Sequence, residues 1–322
     1  MRILSIDGGG FLGLAVGILL QNIEDYFHAT CHNRFDLFCG TSTGAIIALG
    51  LASGLPACEI VTLYEGLGAR VFGSSSQIFR RLRYARSFFA AKYSNTELRR
   101  ALDASFGDRT FGDLRRSGKR AVIPAFCVTN GRPRVFNTGS EPFDTMFDNY
   151  LVADIALASS AAPTYFPMIK LARPNGAAAD EVFCDGGVVA NHPAIIGFAE
   201  ALSRLQTPPS DISLLSISTP RLDLSEPLAA TRSLSRGLIR WAPVLSSALP
   251  DSASNIMHEA LLRIIGAFPL PRPNYVRIEL ENRNRIPMDL ASPNAVITLR
   301  QIGIEKANEA GLRADLKPFF VD

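Results

Sequence analysis

The chain has 322 residues, 47% of them hydrophobic and 20% charged, and this composition is that of a folded globular protein and not of a disordered one. Its formal net charge of +3, from 33 Lys and Arg against 30 Asp and Glu, argues against a dedicated nucleic-acid-binding protein. The five cysteines are widely spaced and include no C-x-x-C pair, so neither a zinc site nor a redox dithiol is expected, and a reducing compartment fits.

No secretory leader is recognisable, because the strand-like RILSID begins at the second residue. The longest clearly apolar run, at residues 45–55, is too short to span a bilayer. We therefore expect a cytoplasmic protein that contacts a membrane only peripherally, at its inner face.

We assign apolar runs to strands or helices by the spacing of their apolar residues, and the two kinds of element alternate along the chain. The predicted strands are RILSID, FDLFCG, RAVIPAFCVT, RVFNTG, EVFC, ISLLSIST and NYVRIEL. The predicted helices are FLGLAVGILLQNIEDYF, AIIALGLASG, NTELRRALDASFGD, the start of LVADIALASSAAPTYFP, GFAEALSRLQ, most of residues 221–270, and SPNAVITLRQIGIEKANEAGL. Residues 62–94 are less regular. The alternation predicts an α/β fold with a mostly parallel central sheet and helices on both faces, in one domain over residues 1–322 (core about 1–220, mainly helical part about 221–322).

Three consecutive glycines, Gly8, Gly9 and Gly10, lie between the first strand and the first helix. With Gly13 they satisfy the G-x-G-x-x-G spacing of a dinucleotide-binding loop, but Asp7 directly precedes them and no acidic residue is convincingly placed about 20 residues further on. Bare backbone at this point also suits an oxyanion, and a tight turn needs no ligand at all. The motif by itself leaves all three alternatives open.

The string GTSTG, residues 40–44, follows one predicted strand and begins the next helix. This is the context of a nucleophile elbow, in which flanking glycines let the backbone turn sharply and expose the Oγ of Ser42. The helix N-terminus also favours developing negative charge. Ser42 is therefore the predicted nucleophile, and the alternative is a purely structural turn.

A serine nucleophile needs a base. The histidines of the chain are His28, His32, His192 and His258. The first two are expected at the surface, and a late histidine as in α/β-hydrolases does not fit a serine that follows only two strands.

Asp185 follows a short strand, and the glycines after it allow the chain to present the carboxylate. Burial beside Phe183 is expected to raise its pKa from about 3.9 towards the range of a general base. Asp185 is the predicted base, and a plain turn is the alternative.

Together these residues resemble the patatin-like phospholipases, which use a Ser–Asp dyad. The resemblance rests on DGGGFLG, GTSTG, SSAAPTYFP, the DGG at Asp185 and NHPA, in family order over most of the chain, and YSNTELRRALDASFGDRTFGDL is similar as well. It implies the three-layer patatin-like fold, attack by Ser42 on an ester carbonyl and proton transfer directly to Asp185. It also implies an oxyanion hole of backbone N–H groups around Gly8, Gly9 and Gly10, helped by Thr43, with no metal ion or organic cofactor.

Two departures from the family pattern concern the site. Leu12 stands where members often carry Arg or Lys, which puts recognition of a head-group phosphate there in doubt. The block that usually ends Gly-Thr-Gly here reads LLSISTP, with Ser218, Thr219 and Pro220. That change alters a loop near the site.

The resemblance implies a lipid acyl hydrolase that cleaves fatty-acyl esters of membrane phospholipids, with membrane lipid and no nucleic-acid polymer as its partner. Compact bacterial members also resemble the effector phospholipases of anti-phage signalling, which a cyclic nucleotide activates, so a cyclic dinucleotide is a candidate activator. The alternatives are a catalytically silent family member that binds lipid or a protein partner, and a dinucleotide-binding oxidoreductase. Head group, acyl position and oligomeric state are not predicted.

A basic and aromatic stretch lies between Glu65 and Glu97, where no acidic residue occurs. Its candidate functional residues are Arg80, Arg81, Arg83, Arg86, Phe88 and Phe89. Such a stretch suits an anionic membrane surface, but a lid over the site and a solvated helix face with its apolar side in the core remain open.

Overall fold

The computed structural model of the chain describes residues 1–72, 90–139, 145–172, 179–221 and 238–321, with only the backbone of residue 69 and of residues 238–250. The basic and aromatic residues predicted for a membrane surface or a lid, at positions 80–89, lie outside the described residues. Among the described residues, no helix is both long enough and apolar enough to cross a bilayer.

A single sheet runs through the described part of the chain. Its strands are β1 (Arg2–Ile6), β2 (Leu37–Gly40), β3 (Arg120–Cys127), β4 (Arg132–Asn137), β5 (Ile169–Leu171), β6 (Glu181–Cys184), β7 (Ser213–Ile217) and β8 (Asn274–Ile278). The order is β5-β6-β3-β2-β1-β7-β8, with β4 also paired to β3. Neighbouring strands are parallel throughout the series β3-β2-β1-β7-β8. The pairs that involve β4, β5 or β6 are antiparallel. The prediction of a mostly parallel sheet is confirmed, and the antiparallel end was not foreseen.

The helices are α1 (Gly13–Phe27), α2 (Cys31–Arg34), α3 (Thr43–Ala52), α4 (Ala57–Leu67), α5 (Thr96–Phe106), α6 (Phe111–Arg116), α7 (Val152–Ser159), α8 (Ala194–Ser203), α9 (Leu238–Gly266), α10 (Pro293–Ala307) and α11 (Ala310–Phe320). The closing helix predicted from residue 292 to residue 312 is in fact two helices, α10 and α11, separated at Asn308. Helix α4 was not predicted, and its second half falls within residues 62–94, which were expected to be less regular. Its buried residues Ala57, Ile60, Val61, Tyr64 and Leu67 follow helical spacing, and the helix packs on α1.

The two faces of the sheet carry separate helical layers. In β1, Ile3 packs with α8 and α9 on one face, whereas Leu4 and Ile6 belong to the core formed with α1, α3 and α4 on the other. This alternation follows from the two-residue repeat of a strand. The predicted three-layer architecture with helices on both faces is confirmed.

Strands β2 and β6 share one edge of β3, and this arrangement sets the position of the site. Strand β4 pairs with residues 122–127 of β3 and thus takes up the other edge. Strand β2 pairs in parallel with residues 120–122, and β6 pairs antiparallel with Phe126 and Cys127. The C-terminal ends of β2 and β6 therefore point towards each other, and the residues that follow them meet.

Candidate active site

Ser42 lies in the sharp turn that joins β2 to α3. Its φ of 55° and ψ of −123° are unusual for a residue with a side chain, and such strain is typical of an active-site elbow. The turn is held by neighbours on both sides: the Thr41 hydroxyl donates to the Ala190 carbonyl oxygen at 2.6 Å, and the Ser42 N–H donates to the Ser159 Oγ at 3.1 Å. Ser42 is half-buried, whereas its neighbours Thr41 and Thr43 are buried.

The hydroxyl of Ser42 is hydrogen-bonded to the carboxylate of Asp185. Ser42 Oγ donates to Asp185 Oδ2 at 2.7 Å, and the Gly187 N–H donates to Oδ1 at 2.6 Å. Burial of Asp185, which is 4% exposed, raises its pKa to about 6 against the opposing effect of these two hydrogen bonds. The expected rise in pKa is confirmed. The structure brings both residues of the predicted dyad together, and a carboxylate with this pKa can accept a proton near neutral pH.

The described histidines make their side-chain contacts elsewhere. The Nδ1 atoms of His32, His192 and His258 lie within hydrogen-bond distance of the Leu51 carbonyl oxygen (3.0 Å), Asp7 Oδ1 (3.2 Å) and the Tyr275 hydroxyl (2.7 Å). His28 is exposed at the end of α1. Among the described residues, no three His, Cys, Asp or Glu side chains are grouped so that they could hold a metal ion.

The glycine loop lies against the nucleophile. A Cβ placed on Gly8 would lie 3.3 Å from the Cβ of Ser42. The Gly8 N–H donates to the Asn191 carbonyl oxygen over a long 3.4 Å, whereas the N–H groups of Gly9 and Gly10 have no acceptor among the described residues. Gly10 has a φ of +59°, which residues with a side chain rarely adopt. The N–H groups of Gly9 and Gly10 are therefore not engaged by another described residue, whereas that of Gly8 is.

The backbone N–H of Thr43, and not its hydroxyl, is available as a hydrogen-bond donor. Its hydroxyl is buried and hydrogen-bonded to the hydroxyl of Tyr64, which also approaches the Thr43 carbonyl oxygen at 3.0 Å. The Thr43 N–H begins α3 and has no acceptor among the described residues. A nucleophile elbow uses the N–H of the residue after the serine in this way.

An apolar pocket opens beside Gly10 and Thr43. Its other lining residues are Phe11, Ile46, Tyr64, Leu67, Val71, Phe72, Leu98, Ser160 and Phe166. The lining is almost entirely hydrocarbon and aromatic, so the pocket suits an alkyl chain and not a charged group.

Both departures from the family pattern have a place in the structure. The Leu12 side chain is 6% exposed and packs in the hydrophobic core, so this position offers no charge to a head group. Thr219, from the altered block, donates its hydroxyl to the Gly8 carbonyl oxygen at 2.6 Å. The altered block therefore touches the glycine loop directly, which the residue pattern alone did not indicate.

Known proteins resemble this chain over most of its length. A sequence model described as patatin-like phospholipase matches residues 4–197. The chain is 30% identical over 324 residues to a cGAMP-activated phospholipase of Pseudomonas aeruginosa, covering 99% of this chain and 90% of that protein. It is 32% identical over 338 residues to a protein of the same name from Vibrio cholerae, covering 96% and 91%. The crystal structure of VipD from Legionella pneumophila aligns with a TM-score of 0.45 and 15% identity, covering 95% of this chain and 66% of that one. The chain belongs to the patatin-like phospholipase family.

Proposed function

We propose that the chain is a phospholipase A-type lipid acyl hydrolase in which Ser42 is the nucleophile and Asp185 the general base. The observation that carries this proposal is the 2.7 Å hydrogen bond from Ser42 Oγ to the buried Asp185 carboxylate, next to the glycine loop. No histidine has to be placed between them, because the pKa of Asp185 is about 6.

The reaction follows from these contacts. Ser42 Oγ attacks the ester carbonyl carbon while its proton passes to Asp185 Oδ2, and the N–H groups of Gly9, Gly10 and Thr43 hold the resulting oxyanion. Collapse of this intermediate breaks the ester C–O bond, and the departing alkoxide takes the proton from Asp185. Water, deprotonated by Asp185, then attacks the acyl-enzyme and releases the fatty acid. Each fixed N–H donor typically contributes about 10²- to 10³-fold to the rate.

The apolar pocket is proposed to hold the acyl chain. Ile46 lines it three residues beyond Thr43, about 4.5 Å further along α3. We expect Ile46→Phe to shorten the pocket and to lower kcat/KM for a dodecanoyl ester about tenfold relative to a butanoyl ester, since a few methylene groups lose their contacts. The butanoyl ester serves as the internal control. An unchanged ratio between the two esters would place the acyl chain elsewhere.

Product analysis tests the proposed function. Incubated with phosphatidylglycerol and phosphatidylethanolamine vesicles, the protein is expected to release free fatty acid and lysophospholipid, identified by mass spectrometry, and Ser42→Ala is expected to release neither. Pelleting of the same vesicles measures peripheral membrane contact. A wild-type protein that binds vesicles but releases no fatty acid, with cyclic dinucleotides as well as without them, would instead be a catalytically silent member of the family.

Activation by a cyclic dinucleotide is proposed from the relatives. Two proteins named cGAMP-activated phospholipase are 30% and 32% identical to this chain over at least 96% of its length. We expect cGAMP, among a panel of cyclic dinucleotides, to raise phospholipid hydrolysis at least tenfold at micromolar concentration, roughly a 1.4 kcal/mol shift in favour of the active state. Linear dinucleotides of the same bases are the control. Equal rates with every nucleotide and with none would contradict the proposal.

A further inference from the structure

A buried ionic cluster that the proposed mechanism does not use lies directly behind the glycine loop. Asp7 immediately precedes Gly8, and it is 1% exposed. Its Oδ1 accepts from Arg277 Nη1 at 3.1 Å and from His192 Nδ1 at 3.2 Å. Its Oδ2 accepts from Arg277 Nη2 at 2.5 Å and from Arg221 Nη2 at 2.8 Å. We call Asp7, His192, Arg221 and Arg277 the Asp7 cluster.

The contacts within the cluster favour the ionised form of the Asp7 carboxylate. Burial by itself would raise the pKa of Asp7, but the charge of Arg277 and the hydrogen bonds from His192 and Arg277 outweigh it and hold the pKa below its ordinary value. Asp7 is therefore ionised at every pH at which an esterase is assayed. The two parallel hydrogen bonds from Arg277 are the bidentate geometry that fixes orientation as well as distance. Glu279 lies 3.7 Å from Arg277 Nε and 3.8 Å from Arg221 Nη1, at the solvent side.

Two members of the cluster, His192 and Arg221, come from segments that touch the glycine loop. Next to His192, the Asn191 carbonyl oxygen accepts from the Gly8 N–H at 3.4 Å. Two residues before Arg221, the Thr219 hydroxyl donates to the Gly8 carbonyl oxygen at 2.6 Å. Thr219 also packs so closely on Gly9 that a Cβ there would overlap it. The cluster thus ties together the two segments between which the loop is held.

Three consecutive glycines cannot hold their own conformation. They have no side chains to pack, and the backbone of glycine has more conformational freedom than that of any other residue. The direction of the Gly9 and Gly10 N–H groups therefore depends on the anchors at the ends of the loop. One anchor is Asp7, whose N–H donates to Ile217 O at 3.0 Å, and the other is Phe11, whose N–H donates to Met288 O at 2.7 Å.

We propose that the Asp7 cluster positions the oxyanion loop, so that Arg277, Arg221 and His192, acting through Asp7 and its neighbours, aim the Gly9 and Gly10 N–H groups at the reacting carbonyl. The inference rests on the proposed hydrolase function. The four residues do not touch the reacting atoms and are positioning residues. Because an oxyanion develops only after the substrate has bound, loss of the cluster should lower kcat and leave KM nearly unchanged.

The test compares Arg277→Met and Asp7→Asn with Arg115→Met, using a water-soluble butanoyl ester. Arg115 makes a similar two-point ion pair with Asp148, with Nη2–Oδ2 at 2.6 Å and Nε–Oδ1 at 3.3 Å, and both side chains are largely buried. Each rate is divided by the folded fraction of the protein, which circular dichroism measures at the assay temperature. We expect Arg277→Met and Asp7→Asn to lower kcat about 10- to 100-fold with KM within about threefold, and Arg115→Met to keep the wild-type kcat.

Two further measurements separate positioning from stability. Asp7→Asn alone leaves both Arg277 and Arg221 without their carboxylate, whereas the double variant Asp7→Asn with Arg277→Met removes the more buried of these two cations and leaves Arg221 with Glu279 at 3.8 Å. The double variant should therefore melt at a higher temperature than Asp7→Asn alone and yet stay slow. Affinity for a trifluoromethyl ketone, which forms an anionic adduct with a serine hydroxyl, should fall in parallel with kcat. Arg277→Lys, which keeps the charge and loses the second hydrogen bond, should be intermediate.

The results distinguish a failure of the positioning role from a failure of the proposed function. If the double variant regains wild-type kcat as its stability returns, or if Arg277→Met is as fast as Arg115→Met, the cluster has only a structural role and the inference is wrong. In either case the wild type would still hydrolyse the ester and Ser42→Ala would not, so the proposed function would stand. A wild type without ester hydrolysis, with cGAMP as well as without it, would overturn the proposed function and the positioning role together.

Discussion

Ser42→Ala is expected to lower kcat for ester hydrolysis by about 10⁴- to 10⁶-fold, because the hydroxyl that would attack the carbonyl carbon is removed. The residual rate should come from substrate binding and the oxyanion N–H groups alone. A spectrophotometric assay with a soluble butanoyl ester measures the loss, and a fluorophosphonate should modify the peptide that contains Ser42 in the wild type alone.

The control for Ser42→Ala is Ser203→Ala. The Ser203 hydroxyl donates to the Ala199 carbonyl oxygen within α8, where α3 and the glycine loop are not involved. This variant should keep the wild-type kcat. The assignment of the nucleophile would be wrong if Ser42→Ala retained more than about one hundredth of the wild-type kcat, because the reaction would then not depend on the Ser42 hydroxyl.

The rate of the wild type should depend on pH through Asp185. A general base acts only when ionised, and the pKa of Asp185 is about 6. We expect kcat/KM to be constant above about pH 7, to reach half its maximum near pH 6, and to fall about tenfold for each pH unit below 5. Asp185→Asn should lose about 10²- to 10⁴-fold in kcat and should lose this limb of the profile. A half-maximum near pH 4 would mean that the pKa of Asp185 is not raised, and an acid limb that persists in Asp185→Asn would mean that Asp185 is not the base.

The same pKa predicts that Asp185 destabilises the fold at neutral pH. Between pH 3.8, the ordinary value, and about 6, the folded protein holds a proton on Asp185 that the unfolded chain has lost. Stability from this group is therefore fully present below pH 4 and is lost as pH rises to 6. The loss corresponds to roughly 3 kcal/mol. At pH 8, Asp185→Asn should unfold at higher urea concentration than the wild type, and the difference should disappear below pH 4.

Asp113 provides a control of opposite sign. Its carboxylate accepts from the Thr110 N–H at 2.8 Å and caps α6, and this hydrogen bond, with those from Arg116 and the Thr110 hydroxyl, lowers its pKa to about 2. Asp113→Asn should therefore lower stability at neutral pH, and its difference from the wild type should shrink as pH falls towards 2. If both variants shifted stability in the same direction at pH 8, the opposed effects of burial and capping would be contradicted.

Features within a few residues of one another were predictable from the sequence. The elbow at Ser42 and the turn at Gly8–Gly10 each depend on a strand, a few small residues and a helix in immediate succession, and local backbone geometry dictates that combination. Helix α4 was missed because Gly66 lies within it and Gly68 directly follows it, and in the structure the packing of α4 on α1 outweighs the low helix propensity of Gly66. The roles of Ser42, Asp185 and the glycines in catalysis stay predictions.

The contacts that assemble the site join residues far apart in the chain. Ser42 and Asp185 are 143 residues apart, and Asp7 and Arg277 are 270 apart. The first pair meets because β6 runs antiparallel along the edge of β3 on which β2 ends, a strand direction that no short pattern specifies. The second pair forms because β1, β7 and β8 lie side by side, so one buried carboxylate must find its cations on neighbouring strands. Local sequence therefore determines the turns that can present reactive groups, and strand order and direction determine which of those groups meet.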